Sequence, residues 1–430
     1  MLFEPLPELL GLVPKHFART TLFQVNLKSK LPPKFQKYAS PGVIPKVFLL
    51  PFALTSVLLI FLVRPFVVIR IFRVNPWRLG HLTTEVEIAR LNAVHLSRRK
   101  KHITIFYFPE RKPANQFLCD FWQRSVPNTK GMWGWIFYET AYKFGKNFLI
   151  VEATLIDFQN LFQIYPNNLR FTCPEIEAGE NFLEAIGCKK RNYVCLMVRD
   201  SSYLDKIRPD KKFDYYNYRD SSIASYLTAT EALTARGFTV LRMGQIVAEK
   251  LRSPDPMIID YATNGMRTEF LDLFLGANCK MCITTDTGFD TISRIFRRPT
   301  FYVNLLPLFP KWTVVQPTIQ YPKTLQDKNR PLSLREIIDS DLISADHDSF
   351  YRNAGVTVRD MSSEELVEAV TEMAARVEGT FVETPEQKEM QAKLKHILST
   401  HPKLQPSPNY YPIRAQFASC FLSRYPNFLD

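Results

Sequence analysis

Residues 279–307 are the part of the chain that most restricts its fold, because a short apolar run, a polar loop, a helix-like segment and a second apolar run follow one another directly. Residues 280–284 predict a buried strand, and residues 286–296 carry apolar side chains at helical spacing. An Arg-Pro pair ends the helix, and residues 300–304 predict the next strand. A unit of this size forms a right-handed crossover onto a parallel sheet, which places the chain in the α/β class.

The loop of this unit, Thr284, Thr285, Asp286, Thr287 and Gly288, would lie at the carboxyl edge of the sheet. Open α/β sheets bind ligands at this edge. Threonine hydroxyls, free backbone N–H groups and the start of a helix there suit an anion such as phosphate. The alternative is that Asp and Thr only cap the helix, since both are ordinary N-cap residues.

The alternation of strand and helix patterns predicts two α/β domains. Residues 66–74, 102–108 and 148–153 are strand-like around a helix beginning near residue 83, and a longer alternation covers residues 190–305. An apolar fraction of 46% with 23% charged residues is sufficient for a globular core. The predicted organisation is a basic and apolar segment at 1–65, α/β domains at 66–185 and 186–320, and a C-terminal helical extension at 321–430.

Three predicted strand ends of the second domain carry polar groups. These are Arg199-Asp200, Arg242-Met243-Gly244 and the loop at 284–288. Parallel strands place their carboxyl ends at one edge, so two guanidinium groups and several hydroxyls would meet there. Such a group suits a doubly charged phosphate. Each arginine taken alone is more typical of a protein surface than of a binding site.

In the first domain, the sequence RLGHLTTE stands where a loop passes into a helix. Gly80 would permit close approach of a ligand beside Arg78. His81 and Glu85 are four residues apart, on one helical face, and either can take a proton from an attacking hydroxyl. The alternative is that His81 caps the helix and Glu85 is solvated.

No metal or cofactor is predicted. The acids Asp339, Asp341, Asp346 and Asp348 form two DxD pairs, but neither follows a buried strand. Of the seven cysteines, Cys279 and Cys282 form one CxxC within a predicted strand, which indicates core thiols in a reducing compartment. Walker A, GxGxxG and GxSxG motifs are absent, so a kinase, a dehydrogenase or an α/β-hydrolase has no support.

The net charge of +13 is uneven, since residues 1–75 hold ten Lys/Arg against two Glu. Within this region, residues 47–63 contain no charge and lie between Lys46 and Arg64. Basic residues beside an apolar stretch fit an anionic cytoplasmic membrane surface. Attachment at the interface is favoured over a full crossing, with a core helix as the alternative. No motif supports a nucleic-acid partner.

Several stretches together resemble a family of bacterial glycosyltransferases associated with surface-polysaccharide genes. These stretches are RLGHLTTEVEI, VCLMVRDSSYL, VLRMG, DLFLGANCKMCITTDTGFDTISRIFRRPTFYVN, NAGVTVRDMSSEELVEAVTEM and FLSRYPNFL. They cover residues 70–430 in order. WRLGH and VRDSSY are also distantly similar to motifs of fucosyltransferases, although Met197 replaces the histidine that such motifs place two residues before the arginine.

The resemblance implies a GT-B fold, in which two Rossmann-like domains face each other across a cleft. It implies that the N-terminal domain binds the acceptor and the C-terminal domain the nucleotide-sugar. Arg199 and Arg242 would neutralise the diphosphate without a metal, and Gly244 and the loop at 284–288 would line the donor pocket. His81, Glu85 and Asp200 are the candidate catalytic residues, with Arg78 and Gly80 on the acceptor side.

The sequence therefore predicts a membrane-associated glycosyltransferase at the cytoplasmic face. It would use a nucleotide-sugar as substrate, act on a lipid-linked or polysaccharide acceptor, and transfer with inversion. A sugar-nucleotide hydrolase or epimerase on the same fold is an alternative. A non-catalytic membrane-bound scaffold is another.

Overall fold

The computed structural model describes residues 44–188, 191–207, 209, 214–308, 318–404 and 416–430. In this part of the chain, two parallel sheets carry the fold. The first has three strands in the order β1-β2-β3, all parallel. Their bounds are β1 Val68–Arg73, β2 His102–Phe108 and β3 Asn128–Lys130. The predicted α/β class is therefore confirmed.

The second sheet has seven parallel strands in the order β13-β9-β8-β7-β4-β5-β6. Their bounds are β4 Tyr193–Met197, β5 Thr239–Arg242, β6 Ile258–Ile259, β7 Met281–Thr284, β8 Thr300–Leu305, β9 Thr318–Pro322 and β13 Gln416–Phe417. The chain moves from β4 outward through β5 and β6 and then returns to β7 on the other side of β4. The strand order therefore reverses between β4 and β7, which is where doubly wound sheets form a ligand crevice.

Helices cover the faces of both sheets. The longer ones are α1 Ile44–Val63, α2 Leu79–Ser97, α3 Gln116–Ser125, α4 Gly131–Leu149, α6 Cys173–Ala185, α8 Leu227–Thr234, α9 Glu269–Asn278, α13 Ser363–Glu378 and α14 Pro385–Thr400. The shorter ones are α5 Leu161–Ile164, α7 Ser202–Ile207, α10 Asp290–Ile295, α11 Leu334–Asp339, α12 Asp348–Asn353 and α15 Ser419–Arg424.

The C-terminal part differs from the helical extension predicted for residues 321–430. It contains a small antiparallel sheet of β10 Thr324–Asp327, β11 Arg330–Pro331 and β12 Val356–Arg359. In addition, β13 pairs with β9 and so returns to the main sheet. Helix α13 begins with the predicted capping box, in which Ser362 and Glu365 satisfy each other's backbone N–H groups.

Three other local predictions differ from the structure. Residues 148–153 do not form a strand, because α4 continues to Leu149 and only Ile150 bridges to Ile71 of β1. The helix predicted at 286–296 is limited to α10. Helix α2 begins at Leu79, four residues before the predicted start, so that Gly80 and His81 lie in its first turn.

One continuous apolar cluster joins the two sheets. It includes Phe72 and Trp122 from the first part of the chain and Phe274 and Ile295 from the second. Gly179 of α6 permits this close packing, since a Cβ there would lie 2.2 Å from the ring of Phe274. The two α/β units are thus packed together on their helical layers as well as connected through the chain.

The apolar segment predicted at 47–63 forms most of α1, and Pro51 lies within this helix. Ala53, Val57 and Ile60 are buried on its inner face, against α4. Within the described residues, no helix combines the length and hydropathy that a membrane crossing requires.

Candidate functional site

The ends of β4 and β7 meet at the point where the strand order reverses. Met197 and Thr284 are direct neighbours in this parallel pair. The residue after Thr284 also contacts this strand, since Thr285 N–H donates to Met197 O at 3.2 Å. The Thr285 hydroxyl in turn accepts a hydrogen bond of 2.8 Å from Arg199 N–H. The sequence-predicted residues Arg199, Thr284 and Thr285 are thus brought together.

Asp286 is held by an arginine that the sequence interpretation did not include. Arg219 Nη2 donates to both the backbone oxygen and the Oδ2 atom of Asp286, each at 2.6 Å. Asp286 is 5% exposed and has a φ of 63°, in the left-handed region. Arg219 therefore fixes the strained turn after β7 and places a second guanidinium beside Arg199.

Asp290 lies on the other side of the loop and places a buried carboxyl group there. Its Oδ1 accepts a 2.7 Å hydrogen bond from Thr287 N–H, and its Oδ2 accepts one from the Tyr302 hydroxyl at 3.0 Å. Burial raises the pKa of this carboxyl to about 6. A buried acid already occupies the turn before α10, so the predicted anion site at a helix start is not formed there. Thr287 is half-buried, and only Gly288 is exposed in this loop.

Arg199 and Arg219 lie in a crowded group of charges. Among the described residues, the Arg199 side chain has one hydrogen bond, from Nε to Asp220 Oδ1 at 3.0 Å. Burial and the neighbouring Arg219 lower the pKa of Arg199. Lys323 donates to Asp220 O and pairs with Asp360 Oδ1, both at 2.7 Å. An anion added beside these two guanidinium groups would offset the repulsion between their positive charges.

The structure directs three of the predicted residues elsewhere. Arg242 is 1% exposed, and its Nη1 pairs with Asp260 at 3.0 Å, inside the fold. Asp200 accepts hydrogen bonds from Ser202 N–H and Ala248 N–H, and so connects two loops. At Gly244 a Cβ would lie 2.5 Å from the Val247 side chain, so this glycine serves internal packing.

His81 and Glu85 form a hydrogen-bonded pair at the start of α2. His81 Nδ1 lies 2.7 Å from Glu85 Oε1, and Asn75 Nδ2 lies 3.4 Å from the same nitrogen. When Nδ1 carries the ring proton and donates it to Glu85, His81 Nε2 is left as a proton acceptor. His81 is half-buried and Glu85 is buried, so the predicted alternative of a solvated Glu85 is wrong.

The beginning of α2 lies directly against the loop after β7. A Cβ at Gly288 would lie 3.4 Å from Gly80 N, and one at Gly80 would lie 3.6 Å from the Thr291 methyl group. The hydroxyls of Thr83 and Thr291 are 2.5 Å apart. The acceptor-side residues predicted from the sequence are thus beside the predicted donor loop.

Arg78, the residue before α2, is exposed and lies close to a tyrosine pair of the second unit. Burial and the neighbouring Tyr216 raise the pKa of Tyr215, and the positive charge of Arg78 opposes this rise. The Arg199 guanidinium in turn lies 5.8 Å from the centre of the Tyr216 ring. The segment Asp214–Arg219 therefore connects Arg78 with the arginine pair.

A cavity of about 300 Å³ opens at the carboxyl end of β1. Its lining includes Glu85, three aromatic side chains and two basic ones: Trp77, Tyr138, Tyr142, Arg73 and Lys146. The Glu85 Oε2 atom is buried and has no hydrogen-bond partner among the described residues. A buried carboxylate oxygen without a partner is costly, and here it belongs to a side chain that lines a cavity.

Sequence patterns did not indicate the cavity or the second arginine. Arg219 is the last residue of the aromatic stretch DYYNYR, which has neither strand nor helix periodicity. Tyr138, Tyr142 and Lys146 follow the helical spacing of i, i+4 and i+8, which is equally typical of a core face. This spacing distinguishes a cavity wall from a core face only in combination with the position of α4 beside β1. In the described ranges, no three His, Cys, Asp or Glu side chains form a group that could hold a metal ion.

Comparisons with known proteins leave the family open. No protein-family model matches the chain, and no curated protein matches it, so the family resemblance stays a prediction. Among solved structures, the chain is similar to the E. coli ADP-heptose LPS heptosyltransferase II, with 10% sequence identity and a TM-score of 0.38. The similarity covers 72% of this chain and 99% of that one. At these low values, the functional proposal depends on the geometry described above alone.

Proposed function

We propose that the protein is a glycosyltransferase of the GT-B type, which moves a sugar from a nucleotide-activated donor to a polysaccharide or lipid-linked acceptor. One observation carries the proposal. The His81–Glu85 pair stands at the start of a helix that packs, through Gly80 and Gly288, on the arginine-flanked loop at the switch point of the larger sheet. A proton acceptor on the helix that packs against this loop, and two guanidinium groups that flank the loop, would supply the two functions that sugar transfer from a diphosphate needs.

The arginine pair would bind the diphosphate of the donor. Arg199 and Arg219 are held by Asp220 and Asp286, so their positions are fixed before a ligand arrives. Negative charge develops on the leaving diphosphate as the sugar–phosphate bond breaks, and fixed guanidinium groups stabilise that charge without reorganisation. We propose that this positive charge takes the place of a metal ion and that no resident cofactor is needed.

His81 would act as the general base, and Glu85 would position it. Glu85 Oε1 accepts the Nδ1 proton, and His81 Nε2 takes the proton of the acceptor hydroxyl as this oxygen attacks the anomeric carbon. The new bond to the acceptor oxygen forms opposite the bond to phosphate that breaks. This direct displacement inverts the configuration of the sugar.

The cavity beside Glu85 would bind the acceptor. Its volume of about 300 Å³ lies at the lower end of the range for ligand pockets and suits one or two sugar rings. Trp77, Tyr138 and Tyr142 offer flat apolar surfaces for the C–H faces of sugar rings. Arg73 and Lys146 offer hydrogen-bond donors for hydroxyl or acidic groups.

The test begins with a thermal-shift screen of nucleotide-sugars, because a ligand that binds only the folded state raises the unfolding temperature. With the donor found, release of nucleoside diphosphate is measured with and without candidate acceptors. Arg219→Met should lower kcat/KM more than 100-fold and remove the thermal shift. Arg219→Lys should retain part of both, since one positive charge remains.

The matched control is Arg236→Met. Arg236 is also ion-paired, with Glu378, but it lies just before β5, at the opposite edge of the same sheet. It should change neither the shift nor the rate. Donor consumption without an acceptor would instead identify a hydrolase or an epimerase. If no nucleotide-sugar shifts any form of the protein, and Arg219→Met unfolds at the same temperature as the natural chain, the scaffold alternative replaces this proposal.

A further inference from the structure

The outer face of α1 is an exposed apolar surface without a charge. Its inner residues pack on α4, while Phe48, Phe52, Leu58, Leu59 and Leu62 point away from the protein and are between 53% and 70% exposed. Phe66, in the turn after the helix, is 79% exposed. Thr55, an exposed polar side chain of this helix, donates its hydroxyl proton to Pro51 O at 2.9 Å. Such a face is unfavourable in water and requires a cover.

Helix α4 extends this surface. Phe144 and Phe148 are both at least half-exposed, and the Phe148 ring lies 6.4 Å from Phe61 of α1. The guanidinium group of Arg64 lies 4.5 Å above the same ring. The carboxyl ends of α1 and α4 are therefore side by side, and their exposed aromatic and aliphatic groups form one continuous patch. More than half of the large apolar side chains exposed in the described ranges lie on these two helices and the turn after α1.

Basic residues border the carboxyl end of this patch. Val68 N–H donates to Lys101 O at 2.9 Å, which places the turn after α2 next to Phe66. That turn carries four consecutive basic residues, Arg98, Arg99, Lys100 and Lys101. Arg64 and, on α4, Lys143 and Lys146 add to the positive charge, against Glu139 and Glu152 nearby in sequence. An apolar face bordered by this much positive charge matches acyl chains beneath anionic headgroups.

We propose that α1, α4 and the turn at 98–101 form a lipid-docking surface, with which the protein lies on an anionic membrane. Because α1 is tied along its inner face to α4, only its outer face is free to enter the interface. The helix therefore lies along the membrane plane. The basic turn then meets the headgroups while the Phe and Leu side chains enter the boundary with the acyl chains.

The placement has a consequence for substrate access, which rests on the proposed function. Tyr142 and Lys146 belong to α4 and also line the cavity beside Glu85. The cavity therefore opens beside the lipid-docking surface, where the sugar of a lipid-linked acceptor would be presented. A free saccharide would reach the same cavity from solution.

The docking surface is tested by co-sedimentation of the full chain with vesicles of phosphatidylcholine alone or with added phosphatidylglycerol. The natural chain should bind the vesicles with phosphatidylglycerol at least tenfold more tightly than those of phosphatidylcholine alone. Salt should weaken this binding. Combined Leu59→Ser, Leu62→Ser and Phe66→Ser should reduce binding at least tenfold. Combined Arg98→Gln, Arg99→Gln and Lys100→Gln should reduce binding to anionic vesicles by a similar factor and leave phosphatidylcholine unaffected.

Phe350→Ser with Val382→Ser is the matched control, because both side chains are exposed but belong to the C-terminal part. It should bind as the natural chain does. A second pair of variants keeps the surface apolar. Brominated lipids should quench the tryptophan fluorescence of Leu62→Trp more strongly than that of the natural chain. The fluorescence of Val382→Trp should show no such increase in quenching. Unchanged binding after the serine substitutions would overturn the proposal. A dimer seen by light scattering, if the serine substitutions dissociate it, would also overturn the proposal. Sugar transfer to soluble acceptors does not depend on either result.

Discussion

At the scale of single residues, the site depends on side chains that hold other side chains. Glu85 is 5% exposed; it uses one oxygen for His81, and its side chain also lines a cavity. A buried carboxylate fixes an imidazole ring more firmly than solvent would, because few alternative partners are available. In the same way, the buried carboxylate of Asp286 holds the guanidinium group of Arg219. The chemistry proposed for His81, Arg199 and Arg219 therefore depends on the carboxylates that hold these side chains in place, which are Glu85, Asp220 and Asp286.

Substitution of the pair separates the base from its positioning residue. His81→Gln removes the proton acceptor and should lower kcat by about 10²- to 10⁴-fold. Glu85→Gln keeps the shape but loses the charge, and should lower kcat by about 10- to 100-fold. The KM for the donor should stay unchanged in both variants. Steady-state rates with saturating acceptor check this expectation.

His102→Gln is the control for this prediction, because His102 begins β2 at the opposite edge of the first sheet. It should leave kcat unchanged. A Glu85→Gln enzyme with full kcat would show that the hydrogen bond to His81 has no part in the reaction.

At the scale of elements, the contact between α2 and the loop after β7 is the joint on which the site depends. Both partners contribute a glycine, but the space around the two glycines differs. A Cβ at Gly288 would lie 3.3 Å from the Leu79 Cβ, which is tighter than ordinary contact. A Cβ at Gly80 would meet its neighbours at 3.6 Å or more.

The two glycines therefore give a matched pair of variants. Gly288→Ala should push the start of α2 away from the loop, lower the free energy of unfolding by about 1–3 kcal/mol and reduce the transfer rate. Gly80→Ala has room and lies in a helix, so it should be neutral or stabilise by up to about 1 kcal/mol. Urea unfolding and transfer assays measure both effects. Equal losses in the two variants would contradict the contact described here.

Which elements were predictable depends on how local their causes are. Strand β2 was predicted with its observed limits, because a run of β-branched and aromatic residues defines it alone. Helix α13 was predicted to within a residue by its capping box and the terminal Gly379. The helix predicted from residue 286 starts instead at Asp290, because this side chain captures Thr287 N–H and forces a turn. That hydrogen bond competes with the helix and has no periodic signature.

Side-chain directions at the strand ends depended on distant residues. Arg242 ends β5 and Arg199 lies two residues beyond the end of β4, and the sequence patterns predicted the same role for both. Asp260, eighteen residues beyond Arg242, draws that guanidinium into the core. Arg219 enters the site from a segment without regular periodicity and takes the position expected for Arg242. Sequence patterns thus located the edge of the sheet but not the second cation.

At the scale of the whole molecule, a buried ion group joins the two α/β units. Glu87 of α2 is fully buried and pairs with Arg90 of the same helix and with Arg297, which follows α10. Arg297 also donates to backbone oxygens of Phe162 and Tyr165. Burial lowers the pKa of Arg297, and the charge of Glu87 opposes this effect.

Removing one partner should be worse than removing both. Glu87→Ala leaves Arg297 buried without its carboxylate and should cost about 3–5 kcal/mol of unfolding free energy. Glu87→Leu combined with Arg297→Met replaces the pair by apolar groups and should recover part of that loss. Glu368→Ala, which breaks the exposed pair with Arg424, should cost at most about 1 kcal/mol. Additive losses for the double variant, measured by urea unfolding, would exclude coupling between Glu87 and Arg297.

The apolar cluster that runs from Phe72 to Ile295 limits how the molecule can be taken apart or recombined. Cutting the chain between its two sheets would leave Trp122 on one fragment and Phe274 on the other, each facing water. Chimaeras that exchange one half for that of another enzyme would face the same mismatch, unless the helices on both sides of the junction were exchanged together. A change of substrate specificity in this protein therefore requires substitutions in the cavity wall. Exchange of a whole half alone would prevent folding.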